Sequence, residues 1–193
     1  MFQLGRYAFK RADTEDEFEQ IHRLNYRTFV EEIPQYTNVA DGRLVDKFHA
    51  KNTYFVAIES ARVVGMLSVH DRPPFSVAAR LPDPSILERP GCKPMEVRLL
   101  AVEPEHRSRP VMAGLLWLAL EHARDRYTEV YISGIAERAE MYERLGFQPL
   151  GEPVASEMAS GRSVAFVPMR VSLPLEDKVE RIARFWKSRV GAQ

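Results

Sequence analysis

Residues 95–116, MEVRLLAVEPEHRSRPVMAGLL, constrain this chain most, because an apolar strand runs through a basic loop directly into an amphipathic helix. That order builds an anion site. The first N–H groups of a helix lack internal partners and sit at the positive end of its dipole, so a phosphate docks there readily. Ser108 is placed to cap the helix, and Pro110 falls in its first turn, where a missing N–H costs little. Some thirty residues on, AERAEMYERLGF (136–147) predicts a second helix that carries Met141-Tyr142 and ends in Leu145-Gly146-Phe147.

Together these segments resemble the GNAT acyltransferase superfamily. The first resembles the strand and loop that bind the pantetheine and pyrophosphate of an acyl-CoA, written Arg/Gln-x-x-Gly-x-Gly/Ala. Residues 97–102 match the donor-contacting strand and 107–112 the phosphate loop, while Tyr142, Gly146 and Phe147 match a Tyr-x-x-x-Gly-Phe signature. The resemblance implies an α/β fold, a central mixed sheet flanked by helices. It also implies donor contacts from Leu100, Ala101, Val102, Arg107, Ser108, Arg109, Val111, Met112 and Ala113.

Pro110 and Met112 stand where the family motif has glycines. Glycine lets backbone N–H groups approach phosphate oxygens; a side chain obstructs that approach and proline has no N–H to offer. A full CoA diphosphate should bind less well here, whereas the single phosphodiester of a phosphopantetheine arm on acyl carrier protein asks less of the loop. The departure therefore points to the branch of acyl-homoserine-lactone synthases and long-chain N-acyl amino acid synthases. The N-terminal half is similar to that branch in Arg27, Phe29, Val30, Glu31 and Glu32, then Asp41 and Asp46, then Tyr54-Phe55-Val56-Ala57. The branch's tryptophan after the acidic pair is absent, with Tyr36 nearest. By this resemblance Arg27, Phe29, Asp41, Asp46 and Arg98 are the expected substrate contacts.

Acyl transfer to an amine needs a neutral nucleophile and a proton for the leaving thiolate. The resemblance makes Tyr142 the acid, and Glu96 on the central strand is the candidate base. Strict alternation would put Glu96, Arg98 and Leu100 on one face of that strand, with Val97, Leu99 and Ala101 on the other. A charged pair on an apolar strand is costly unless it is paired or solvated. A backbone N–H near residues 100–102 resembles the family's oxyanion donor, and Pro104 suits the end of strand pairing there.

Composition restricts the other readings. With 193 residues, 45% apolar and 28% charged, the chain suits one well-cored domain. Zero net charge gives no sign of a nucleic-acid surface. One cysteine, Cys92, permits no internal disulfide, and the five histidines show no pair at metal-ligand spacing. The N-terminus lacks a secretory pattern, and the longest apolar run, residues 111–120, is about half of a membrane span. A cytoplasmic protein is expected.

The coarse order of elements is strand 7–11, a helix from Asp13 or Thr14 to about Glu32, strands 54–58 and 63–69 around a turn at 59–62, and an irregular proline-rich stretch at 73–90. Strand 95–102, a helix from about Arg109, strand 129–133, helix 136–145 and strand 163–171 follow. The acyltransferase-like domain is set at 1–171. Residues 172–193 read as an amphipathic helix whose stripe of Val179, Ile182, Ala183, Trp186 and Val190 packs on the domain or meets a partner or second copy. The expected activity is transfer of an acyl group from a phosphopantetheine thioester, on carrier protein or CoA, to the primary amine of an amino-acid-like acceptor. Two alternatives are an acetyl-CoA-dependent small-molecule acetyltransferase and a ligand sensor or interaction module that has lost catalysis.

Overall fold

A computed structural model describes residues 1–33, 35–36, 41–107, 109–158, 161 and 163–175, with Arg109 placed by its backbone alone. Ser108, the expected helix cap, and residues 176–193, with the C-terminal stripe, lie outside the described residues. Strands β1 (Phe2–Leu4), β2 (Tyr7–Arg11), β3 (Thr53–Glu59), β4 (Arg62–His70), β5 (Pro94–Val102), β6 (Glu129–Ile135), β7 (Gln148–Pro149), β8 (Val154–Glu157) and β9 (Ser163–Ser172) form a single sheet. Its order is β1-β2-β3-β4-β5-β6-β9-β7, with β8 also on β9. Every described pairing is antiparallel except β5 with β6.

Helix α1 (Glu15–Tyr26) starts at a capping box: Thr14 Oγ1 accepts from the Glu17 N–H at 3.2 Å, and the Glu17 carboxylate reaches back to the Thr14 N–H. Acids fill its first turn, where the dipole favours them. Its last part, Arg27–Glu32, widens to π-helix. Ile21, Leu24 and Phe29 pack with Val56, Met66, Leu99 and Ala101 on one face of the sheet. Helix α2 (Arg109–Ala123) covers the other face, where Val111, Leu115, Ala119 and Ala123 meet Phe9, Phe55, Leu67, Val69 and Met95. Gly114 allows this approach, since a Cβ there would stand 2.2 Å from the Phe9 ring. The β3–β4 turn is tight, with Ser60 and Ala61 both at positive φ (49° and 64°) as a two-residue hairpin of this hand requires.

β5 and β6 pair only over Pro94–Val97 with Glu129–Ile132. Beyond Val97 the two strands part: β5 stays with β4, and β6 with β9. β5 also carries a bulge, because Leu67 faces Leu100 while Val69 faces Val97, which leaves Ser68 opposite both Arg98 and Leu99. The extra residue overturns the expected strict alternation. Leu100 joins Val97 on the α2 face, whereas Leu99 and Ala101 join the α1 core.

Within the described residues the elements expected from sequence are present with ends shifted by a residue or two, with four differences. The second helix is divided into a 3-10 turn, Ala136–Arg138, and α3 (Ala139–Arg144), whose start has no side-chain cap. The proline-rich stretch contains 3-10 turns at Val77–Arg80 and Pro84–Leu87. Strands β1, β7 and β8 are additional, and α2 is apolar on a second side as well as on the sheet-facing stripe.

Candidate active site

The parting of β5 from β6 creates a gap with unpaired backbone on its β5 edge. The Leu99 N–H goes to Ser68 Oγ and the Glu103 N–H to the Val64 carbonyl, both toward β4. Strand alternation then turns the Leu100 and Val102 backbone groups into the gap. The Val102 carbonyl is taken by Arg107 Nε at 3.0 Å. On the α2 face an apolar cavity of about 650 Å³ runs from Arg107 between α2 and α3 to Met95 and Val130. Met112, Ala113, Leu116 and Trp117 of α2 face Met141, Leu145 and Phe147 across it, with Arg138 and Arg144 among its charged lining residues. The all-round apolar character of α2 was the sequence signal for this cavity: one side seats on the sheet and the other lines a hollow.

Tyr142 projects from α3 onto β6. Its ring lies against Gly134, where a Cβ would stand 2.6 Å from Cε2, and edge-on to Phe147 at 6.4 Å between centroids. It belongs to a hydrophobic cluster with Ile132, Val167, Met169, Val97 and Ala136. Burial raises the phenol above its ordinary value, with Arg138 acting the other way, so the hydroxyl keeps its proton through neutral pH. Ser133, the first β6 residue past the last β5–β6 pair, has a buried Oγ without a partner among the described residues. A lone serine in a strand gives no signal in the sequence.

Glu96 sits at the last-but-one pair before the gap and is almost fully buried. Its Oε2 accepts from the Ser76 N–H at 2.7 Å, its Oε1 from the Val77 N–H at 2.9 Å, and His70 Nε2 stands 3.0 Å from Oε2. His70 Nδ1 is 3.1 Å from the Arg72 carbonyl, so both ring nitrogens face oxygen atoms. Burial opposes the Glu96 charge, but the bonds from His70 and Ser76 prevail and hold the carboxyl below the usual carboxylate range. An anchored carboxylate of this kind has little capacity to accept a further proton. Next to it, Arg98 is paired with Asp46 at 2.8 Å, bonded to Ser76 Oγ, and stacked on the Phe48 ring at 4.5 Å.

Of the expected substrate contacts, the structure brings Asp46 and Arg98 together beside Glu96. Arg27 instead bonds Glu103 and ties the first helix to the end of β5. Phe29 is buried in the α1 core, and Asp41 sits exposed in a turn at φ 64°. Of the expected donor contacts, Met112, Ala113 and Arg107 line the cavity, and Leu100 and Val102 turn backbone toward the gap. The side chains of Val111 and Ala101 point into the two cores, Val111 because Gly65 leaves room for it there. Arg107 is also engaged on both sides, by Glu32 and by the Val102 carbonyl.

A mixed sheet whose two parallel central strands part midway, with a helix beginning just past the open end and a half-buried tyrosine on the facing helix, defines a GNAT-type acyltransferase. Solved structures share the fold. FeeM, an N-acyl amino acid synthase from uncultured soil microbes, is 18% identical with a TM-score of 0.64 over 93% of this chain and 98% of its own. The AHL synthase LasI is 17% identical with a TM-score of 0.65 over 92% of both chains. BjaI, a CoA-dependent acyl-homoserine lactone synthase solved with SAM and isopentyl-CoA, is 20% identical with a TM-score of 0.63 over 90% of this chain and 83% of its own. No curated protein sequence matches. The model of the N-acyl amino acid synthase FeeM family matches residues 20–171, and the chain belongs to that family. It is an N-acyltransferase. No helix among the described residues is long and apolar enough to cross a membrane.

Proposed function

We propose that the enzyme joins a long acyl chain, delivered as a thioester of phosphopantetheine on acyl carrier protein, to the amine of an amino acid. The observation that carries this reading is the apolar cavity of about 650 Å³ between α2 and α3, which reaches the sheet at Met95, Val97 and Val130, where β5 and β6 are still paired. It lies well within the range of small-molecule pockets, about 300–1,000 Å³, and is far more room than an acetyl group needs. The loop favours the carrier-bound donor over free CoA, because Arg107 is held by Glu32 and Pro110 removes an N–H from the first turn of α2.

In this reading the thioester carbonyl sits in the gap with its oxygen toward the Leu100 and Val102 N–H groups, and the acyl chain lies in the cavity. The neutral amine attacks the carbonyl carbon. A C–N bond forms, and negative charge grows on the oxygen, where the strand N–H groups stabilise it. The C–S bond then breaks, the sulfur takes the Tyr142 proton, and the proton lost by nitrogen restores the phenol through solvent. Glu96 serves as an anchor that pins the 76–77 turn to β5 rather than as the base.

The test is incubation of the purified chain with dodecanoyl-carrier protein, dodecanoyl-CoA or acetyl-CoA and a mixture of amino acids, read by mass spectrometry. N-Dodecanoyl amino acids, formed fastest from carrier protein, are expected. Product from acetyl-CoA alone would overturn the long-chain assignment, and faster turnover of dodecanoyl-CoA would overturn the carrier assignment.

A further inference from the structure

The acyl-transfer chemistry above makes no use of Ser133. This residue lies on β6 one place past Ile132, which makes the last pair with Val97 of β5, and one place before Gly134, the seat of the Tyr142 ring. The register of β6 against β9 is unbroken from Glu129 to Ile135, so its side chains alternate strictly. Val130 packs on the α2 face and Ile132 in the cluster of Tyr142 and Phe147, whereas Tyr131 packs with Val77, Leu81 and Leu87 on the opposite face. Ser133 goes with Tyr131. Its hydroxyl and the Tyr142 phenol therefore flank one stretch of β6 from opposite faces of the sheet, and Tyr142 Cζ is only 3.4 Å from the point that a Gly134 Cβ would occupy.

On the Ser133 face, the neighbouring polar groups of β5 are already engaged. Glu96 holds the Ser76 and Val77 N–H groups and faces His70, and Arg98 is bonded to Asp46 and Ser76. The Ser133 Oγ, in contrast, is buried with no partner among the described residues. Leaving a buried hydroxyl without a hydrogen bond costs about 1–3 kcal/mol. Such a conflict at an open strand edge marks a place where a substrate group completes the bonding.

The direction of approach decides which group that is. With the donor filling the α2–α3 side and Tyr142 serving its sulfur there, the free approach to the carbonyl carbon is from the Ser133 face. Leu100, whose N–H holds the carbonyl oxygen, lies about two residue rises beyond Ser133 along the strands, roughly 7 Å. A hydrogen bond of about 2.9 Å at either end, with the nitrogen about 3–3.5 Å from the carbonyl carbon, bridges that span.

We infer that Ser133 is a further catalytic residue, whose Oγ accepts one N–H of the attacking amine and so aims the nitrogen lone pair at the thioester carbonyl. This inference rests on the acyl-transfer reading above. As the C–N bond forms, the nitrogen gains positive charge and its bond to Oγ becomes charge-assisted, so the hydroxyl holds the transition state more tightly than the ground state. Ser133 keeps its own proton, and the nitrogen loses its proton to solvent as before.

The experiment follows amide formation from dodecanoyl-carrier protein and dodecanoyl-CoA with the amino acid mixture and with plain amines, in wild type, Ser133→Ala and Ser133→Thr, alongside melting temperatures. Ser133→Ala is expected to lower kcat about 10- to 100-fold, the worth of a hydrogen bond to a charged group, with donor KM unchanged. The loss should be equal for amino acids and plain amines, which share the N–H, and Ser133→Thr, which restores the hydroxyl, should recover most of it. The melting temperature of Ser133→Ala should match or exceed that of wild type, because the free fold loses no bond. An unchanged kcat, or a loss that threonine does not recover, would overturn the inference. So would a melting temperature lowered by about 3 °C or more. That result would mean that the hydroxyl is bonded within the fold, for example to Arg80, whose buried Nε lacks a partner and whose guanidinium lies over Phe166 on the same face. If wild type itself forms no amide from either donor, the acyl-transfer reading fails and this inference with it.

Discussion

Tyr142 is seated on Gly134: the ring occupies the space a side chain on β6 would need, with a built Cβ only 2.6 Å from Cε2 and 2.8 Å from Cδ2. The close approach holds the phenol beside the gap between β5 and β6. Gly134→Ala should displace the ring, and such overpacking costs about 1–3 kcal/mol. A fall in melting temperature accompanied by a larger fall in kcat is expected; normal kcat in a destabilised protein would show that the position of the ring is immaterial.

Tyr142→Phe keeps the packing against Gly134 and Phe147 and removes only the proton. With an ordinary alkyl thioester, kcat should fall about 100-fold, the lower end of general acid catalysis. A thiophenyl ester, whose thiolate leaves without protonation, should lose far less. An equal loss with both esters would remove the phenol from leaving-group protonation. Because burial raises the phenol, the alkaline fall of kcat should begin above the ordinary tyrosine value of 10.0.

Glu96→Gln should act on stability before chemistry. The substitution removes the carboxylate bonded by His70 Nε2 and the Ser76 and Val77 N–H groups and points an amide N–H₂ toward donors, so about 1–3 kcal/mol of destabilisation is expected in urea unfolding. The sign of the pH dependence follows from the lowered carboxyl. Its contribution is complete above the unfolded value near 4.5 and is lost as pH falls through the folded value. Wild type should therefore lose stability steeply on acidification, and the variant less so. Parallel acid profiles would contradict the anchoring role.

The sequence showed the frame of this site better than its connections. The strand–loop–helix at residues 95–116 was visible because period-two and period-3.6 patterns meet there across a basic loop. Tyr142 was visible through its spacing to Gly146 and Phe147. The bulge at Arg98 and Leu99 was not, since a one-residue insertion in a strand leaves no mark when both neighbours are compatible with either face. It alone decides that Leu100 faces α2. Glu96 stood out as a charge in an apolar strand, yet its partners, the N–H groups of Ser76 and Val77, are backbone atoms some twenty residues away that no side-chain pattern encodes. Arg27 and Arg107 stand out through family resemblance and, for Arg107, through its place before a helix start; their partners Glu103 and Glu32 are 76 and 75 residues away in sequence and meet them only once the chain has folded.

Asp46 and Arg98 form a buried pair, with side chains 2% and 7% exposed. Removing either partner leaves the other charge uncompensated, so Asp46→Asn and Arg98→Met should each destabilise by about 3–5 kcal/mol. The double variant should recover much of that loss. A double-mutant cycle in urea measures the coupling, and additive losses would mean that the two groups are solvated independently.

The length of the cavity sets the last expectation. Each methylene moved from water into an apolar site contributes about 0.8 kcal/mol, or roughly fourfold in affinity. Donor KM should therefore fall by about that factor per methylene along a saturated series until the space between α2 and α3 is filled. Ala113 and Leu116 line the cavity from α2, and a larger side chain at either position shortens it. Ala113→Phe and Leu116→Trp should shift the preferred donor to shorter chains, with kcat/KM for dodecanoyl thioester falling about tenfold or more while a hexanoyl thioester is spared. A uniform loss across chain lengths would mean that the acyl chain lies elsewhere and that this cavity serves only the pantetheine arm.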